Sequence, residues 1–412
     1  MKAAVDEPRL IRELDTLATF SDGPAPGVTR IVFTEADRRA RAYVTALCAE
    51  AGLVVRHDAA GNMFARWQGV EPDLPAVATG SHIDAIPNAG RYDGTVGVLG
   101  GLEAIRALAR TGGRPRRSIE LIVFTSEEPT RFGIGCLGSR LLAGALDERA
   151  GERLKDSGGR TLNDVRAGAG FTGSLASVRL AGGAYAAFAE LHIEQGPLLE
   201  RHGADIGVVT AIAAPASLRI VIDGEGGHAG TVLMTDRHDA FLAAAETALA
   251  VESAARSTGS DDTVATTGVC EVFPGAVNSV PSRARLEVDV RDIEQARRDA
   301  ALDRIASACD EIARRRGVAI RIEPVNADPP ARCAPEVVEA LARACEDHGL
   351  RHERLVSRAY HDSLFMSRIA PTAMLFIPCR GGVSHRPDEY ASPEAIACGV
   401  AVLADALARL SA

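Results

Sequence analysis

Apolar positions recur along the chain with two periods, and the segments they mark are separated by Gly, Pro and Ser. Residues 34–51 place apolar side chains at helical spacing behind the capping-box-like Thr34-x-x-Asp37, and Gly52 stops the run, which predicts a long amphipathic helix. Residues 76–79 and 119–124 are short and almost wholly apolar, as buried strands are. The first leads into Gly80-Ser81-His82 and the second into Thr125-Ser126-Glu127-Glu128, so each delivers polar residues at its carboxyl end. Residues 94–109 between them read as a helix. Strand, helix, strand is the rhythm of a largely parallel sheet whose ligands gather in the crevice beyond the strand ends. A third such strand, 185–191, ends at His192.

The texture then changes. Strand-like 217–222, a helix over 237–255, strand-like 263–272 and 284–290, a helix over 293–316 and a last strand near 318–322 give a βαββα layout. This reads as a small α+β layer inserted into the first domain. Helix 335–348, strand 372–377 and helix 393–410 restore the earlier rhythm. The expected architecture is α/β: a mostly parallel-sheet domain from residues 1–211 and 329–412, with an inserted α+β domain over 212–328.

Length and charge narrow the function classes. A chain of 412 residues exceeds what one hydrophobic core usually organises, and 46% hydrophobic with 25% charged residues is an ordinary globular composition. The net charge of −9, with no basic cluster carrying interleaved aromatics, argues against nucleic acid as a partner. The eight cysteines are scattered without a CxxC pair, so they are expected to be reduced and mostly buried thiols. Charges interrupt the amino-terminal residues, and no run of about 18 apolar residues occurs anywhere. The expected compartment is the cytoplasm, with no membrane partner.

Chemistry concentrates where apolar runs end. His82, Asp84, Asp93, Glu127, Glu128, His192 and His385 lie far apart in sequence, yet each sits near Gly, Ser or Pro close to such an end. Imidazole and carboxylate without thiolate suit Zn, Mn, Co or Ni, and five ligands with one bridging carboxylate suffice for two ions roughly 3.5–4 Å apart. Any one of these residues carries little; their convergence carries the reading. Adjacent Glu127 and Glu128 project differently, so one carboxylate can bind metal while its neighbour takes a proton from water and returns it to a leaving nitrogen. No GxSxG elbow is present, and Gly97-Val98-Leu99-Gly100-Gly101 lacks the spacing of phosphate loops.

The segments GSHIDAIPNAGRYDGTVGVLGGLEAI, TSEEPTRFGIGCLGSRLLAG, ELHIEQGPLLE, GGHAGTVLMTDRHDA, PGAVNSVPS, VDVRDIE, YHDSLFM and GGVSHRPDEYASPE, in this order, resemble the amidase/hydantoinase/carbamoylase family of dinuclear metallo-hydrolases. The likeness runs from about residue 10 to the carboxyl terminus. It implies that His82, Asp93 and His192 hold one metal and that Asp93, Glu128 and His385 hold the other. It further implies Glu127 as general acid/base with Asp84 orienting His82. The insertion matches the family's lid and dimerisation domain, where His228 would stabilise the oxyanion, reaching the partner's metals in a homodimer. Gln195, Asn278 and Arg291 would bind the substrate's polar end, and a planar guanidinium is well suited to a carboxylate.

Carbamoylase and allantoate members show S-G-A-G-H-D where this chain has Ser357-Arg358-Ala359-Tyr360-His361-Asp362. Together with GVVTAIAAPASL and EEPTRFGIGCLGSRLLAG, this segment is similar to the ureidoglycolate-cleaving branch, with Tyr360 narrowing the pocket. The resemblance therefore implies manganese-dependent cleavage of (S)-ureidoglycolate to glyoxylate, ammonia and carbon dioxide, a late step in using purine nitrogen. The rivals are N-carbamoyl-L-amino acid hydrolysis, allantoate hydrolysis and a silent dimeric binding protein, against which the intact Glu127 and ligand set argue.

Overall fold

The computed structural model describes residues 4–412. The chain divides into two compact units: one holds the chain up to Thr210 with Arg332–Ser357 and His361–Ala412, the other Ala211–Ala331 with Arg358–Tyr360.

A mixed sheet organises the first unit. Four central strands, Thr372–Ile377, Tyr185–Ile193, Ala76–His82 and Ile119–Phe124, lie side by side and parallel. In register, Phe376 stands beside His192, and His82 beside Phe124. Antiparallel strands flank this centre: Met63–Trp67 and Val54–His57 beyond Ile119–Phe124, and Ile206–Ile212 beyond Thr372–Ile377. The parallel expectation holds for the centre. The outer flank Val54–His57 escapes it because that strand is largely exposed and carries no apolar run. All seven residues of Ala76–His82 and all six of Ile119–Phe124 are buried, as strands covered on both faces must be.

Helices Thr95–Ala109 and Pro393–Leu410 cover this sheet, and Gly97, Gly100, Gly101 and Gly399 let them come close to it and to each other. The helix foreseen over 34–51 forms as Glu35–Glu50, with Thr34 capping the N–H of Asp37. The return half of a capping box is absent. Asp37 Oδ2 instead accepts the N–H of Phe33 and the Nε–H of Arg41. Helix Glu7–Ala18 escaped the sequence reading.

The second unit is a four-stranded antiparallel sheet in the order Val264–Phe273, Arg283–Asp292, Ala214–Asp223, Ala319–Ala327. Residues alternate along Arg283–Asp292, and Ala284, Leu286, Val288 and Val290 face helices Ala240–Arg256 and Gln295–Arg316. The βαββα order is as expected.

The cysteines form no disulfide, and all but Cys270 and Cys398 are buried. Among the described residues no helix is long and apolar enough to cross a membrane.

Candidate metal and catalytic site

Strand ends in the first unit converge on Asp93. His82 is the last residue of Ala76–His82, whereas His192 lies one residue inside Tyr185–Ile193. Asp93 precedes helix Thr95–Ala109, Glu127 and Glu128 follow Ile119–Phe124, and His385 comes from the carboxyl-terminal part. Asp93 Oδ1 lies 3.4 Å from His82 Nε2 and 3.2 Å from His192 Nε2. Its Oδ2 lies 3.2 Å from His385 Nε2, which is 3.4 Å from Glu128 Oε1. One carboxylate thus faces two ligand sets. The candidate donor atoms of His82, Asp93 and His192 all lie within 4.8 Å of one another, and those of Asp93, Glu128 and His385 do likewise.

The tautomers suit a metal. His82 Nδ1 is 3.0 Å from the Asp84 carbonyl and His192 Nδ1 is 2.9 Å from the Ile193 carbonyl, so each ring donates there from Nδ1 and turns Nε2 toward Asp93. Candidate donor atoms of a third trio, Glu190, His192 and His361, also lie within 4.8 Å of one another. Its Glu190 oxygens are already engaged, with Ser81 Oγ at 2.7 Å and Ser363 Oγ at 2.6 Å.

Charge points the same way. Burial would push Asp93 up, but the imidazoles of His192, His385 and His82 outweigh it and hold its carboxyl well below the ordinary range. Burial, then the charge of Asp93, pushes Glu128 up to about 7. Burial also drives Glu127 well above the usual carboxylate range, partly offset by His82. Buried carboxylates crowded in this way accommodate divalent cations, whose charge opposes the upward shifts of Glu127 and Glu128. The donor set, its tautomers and its electrostatics all fit metal ions.

Asp84 does more than the sequence suggested. Its carbonyl, rather than its carboxylate, makes the close contact with His82; Oδ1 stands 3.7 Å from Nδ1. The carboxylate accepts the backbone N–H groups of Glu127 and Glu128 at 3.2 and 3.0 Å.

Gly94 is required by close approach. With φ of 66°, it would put any Cβ 2.4 Å from His82 Nε2. Gln195 donates from Nε2 to Asp93 Oδ2 at 2.7 Å, and its Oε1 is buried without a partner. Among the described residues, six non-glycine residues have left-handed φ, and four of them, Ser126, Cys136, Gln195 and His385, belong to this cluster or flank it. Such strain gathers where surrounding structure enforces a functional geometry.

Several supporting residues were missed from sequence. Glu389 Oε1 accepts the N–H groups of Tyr92 and Asp93 at 2.8 and 3.1 Å, and Ser384 Oγ lies 2.9 Å from both Glu389 Oε2 and Asp93 Oδ2. The signal was available in GGVSHRPDEY, four residues beyond His385. Arg30, fully buried, donates from Nη1 to the Ile83 carbonyl at 2.7 Å, between His82 and Asp84. Nothing in its local sequence marks it.

Residues 78–409 match the model of Peptidase family M20/M25/M40. The chain belongs to this family. Within it, the chain is 54% identical to a ureidoglycolate hydrolase of Arabidopsis thaliana, over 99% of this chain and 87% of that one. It is 38% identical to an N-carbamoyl-L-amino acid amidohydrolase of Geobacillus stearothermophilus, over 96% of each. The crystal structure of AtUAH in complex with (S)-hydroxyglycine superposes with a TM-score of 0.92 at 53% identity, covering 100% of this chain and 99% of that one.

In this M20/M25/M40 chain the remaining expected site residues belong to the second unit, where they form two groups. His228 pairs with Ser279 in a short antiparallel bridge, and Asn278 accepts the N–H of Ala229 at 2.8 Å through its carbonyl, so His228 and Asn278 share one loop cluster. His228 Nδ1 accepts the N–H of Gly230 at 3.1 Å, which leaves Nε2 as the protonated nitrogen of the neutral ring. Arg291 donates through Nε and Nη2 to Asp289 at 2.6 and 3.3 Å and through Nη1 to the Arg358 carbonyl at 3.3 Å. Tyr360 Oη donates to Asp328 Oδ2 at 2.8 Å. The segment Arg358–Tyr360 is thereby bound to the second unit by side chain and backbone together.

Proposed function

We propose that this M20/M25/M40 chain is a dinuclear metal-dependent amidohydrolase that cleaves (S)-ureidoglycolate to glyoxylate, ammonia and carbon dioxide. The observation that carries the chemistry is Asp93, whose two oxygens face separate ligand sets with the Glu127 carboxylate beside one of them. Whole-length identity of 54% to a ureidoglycolate hydrolase supports the substrate.

His82, Asp93 and His192 would hold one ion, and Asp93, Glu128 and His385 the other, with Mn2+ first and Zn2+, Co2+ or Ni2+ as alternatives. When bound, such ions polarise water and the ureido carbonyl. Glu127 Oε2, 3.8 Å from His82 Nε2, faces the first ligand set and takes a proton from attacking water. It delivers that proton to the nitrogen that leaves as ammonia. The carbamate left behind loses carbon dioxide, giving hydroxyglycine, which loses a second ammonia to become glyoxylate. His228 donates from Nε2 to the oxygen that gains charge. Gln195, Asn278 and Arg291 bind the polar end of the substrate, with Asp289 holding the guanidinium plane of Arg291. Tyr360 sets the size of the α-substituent. The second unit serves as lid and as the face through which two copies pair.

Ammonia release from ureidoglycolate, allantoate and N-carbamoyl amino acids, measured side by side after chelation and after Mn2+ is restored, tests the proposal. Preference for ureidoglycolate that vanishes with the metal is expected. Preference for an N-carbamoyl amino acid would move the chain to the carbamoylase reading, and no turnover with any metal would sink the enzymatic one.

A further inference from the structure

The loop that carries Glu127 is clamped by residues of one later turn. Cys136 N–H donates to the Glu127 carbonyl at 2.7 Å, Leu137 N–H to the Ser126 carbonyl at 2.9 Å and Gly138 N–H to the Thr125 carbonyl at 2.8 Å. Ser126 and Cys136, one on each side of this clamp, both have positive φ, 56° and 54°. Neither is glycine. Side chains that accept this conformation in a buried turn are held there by their surroundings.

The Cys136 side chain continues the clamp. Its Sγ lies 3.4 Å from Glu127 Oε1, while Glu127 Oε2 points toward His82. Cys136 is fully buried. Burial, reinforced by the negative charge of Glu127 and Asp362, pushes the thiol well above its ordinary value, so the sulfur keeps its proton and acts as a donor. Behind the thiol, Ser139 Oγ sits 3.2 Å from the Cys136 carbonyl and 2.5 Å from Asp362 Oδ1, tying the turn to a second buried carboxyl.

We infer that Cys136 is a positioning residue for Glu127: its thiol holds Oε1 from behind and so aims Oε2 at the atoms that exchange a proton. The inference rests on the reading of Glu127 as the proton carrier. A carboxylate on three rotatable bonds beside crowded like charges would otherwise sample several orientations of its plane. With one oxygen tethered, the other is presented at the start of each turnover, which serves the chemical step and leaves substrate affinity alone.

The test uses the metal-loaded protein and the variants Cys136→Ala, Cys136→Ser and Glu127→Ala. Cys136→Ala should lower kcat about two- to tenfold, the scale of one lost hydrogen bond, with KM and metal content unchanged, and Cys136→Ser should recover to within about twofold of wild type. Infrared spectroscopy gives a readout independent of turnover: the S–H stretching component lost in Cys136→Ala should move to higher frequency in Glu127→Ala, because its acceptor is gone. Wild-type kcat in Cys136→Ala, a Ser variant as slow as Ala, or a thiol band unmoved by Glu127→Ala would each overturn the inference. If Cys136→Ala does not fold, the Ser variant supplies the band assignment and the band shift decides. Failure of the wild type to cleave ureidoglycolate would count against the proposed reaction and is told apart, since the band shift needs no substrate.

Discussion

The carboxylate of Asp84 accepts the backbone N–H of Glu128 at 3.0 Å, so the residue beside one candidate ligand, His82, also fixes another on a different strand. Asp84 is fully buried and receives the N–H of Glu127 through its second oxygen. An amide at this position would turn an NH2 group toward one backbone N–H. Asp84→Asn should therefore cost about 1–3 kcal/mol of local stability and lower both metal retention and melting temperature. Thermal melting and elemental analysis of the purified variant check this; wild-type values in both would assign Asp84 no positioning role.

Glu127→Gln keeps the shape of the side chain and removes its capacity to accept a proton. Turnover should fall by about 10²–10⁴-fold while metal content stays full. Near-normal turnover in a fully loaded variant would remove Glu127 from the proton-transfer role.

Asp93→Ala should lose more metal than His82→Ala or His385→Ala, because both of its oxygens face ligand sets. Elemental analysis after equal dialysis compares them. Equal stoichiometry in the Asp93 variant and wild type would rule out a shared carboxylate.

Gly94→Ala should behave like a ligand mutation although it removes no ligand. The added methyl would stand 2.4 Å from His82 Nε2, at backbone angles of φ 66° and ψ −42° that lie outside the left-handed helical well and are strained for any side chain. Reduced metal affinity by titration calorimetry with a folded circular dichroism spectrum is the expected pair of results.

Tyr360 donates its hydroxyl proton to Asp328 Oδ2 at 2.8 Å, and its proposed part in substrate choice is tested by substitution. Tyr360→Phe should reduce kcat/KM for ureidoglycolate by about two- to tenfold. Tyr360→Gly should lose more and gain turnover of allantoate or bulky N-carbamoyl amino acids. An unchanged ratio of specificity constants in both variants would make Tyr360 a packing residue.

The sequence by itself determined the parallel centre of the sheet, because strands buried on both faces must be continuously apolar and their ends must hand over to Gly, Ser and charged residues. It also determined the βαββα order of the insertion and named the acids and imidazoles that meet at Asp93, since the chemistry of a residue type is local. The exposed flanking strand Val54–His57 was not legible, because antiparallel edges are specified by pairing partners rather than by an apolar run. What only the tertiary structure decided is how each polar atom is satisfied. That Asp84 supports Glu127 and Glu128, that Glu389 holds the backbone of Asp93 and that Cys136 lies behind Glu127 all depend on hydrogen bonds between residues 9 to 297 positions apart. Hydrogen bonds are directional over about 3 Å and leave no periodicity in the chain, so their partners appear only once folding has brought the strands together.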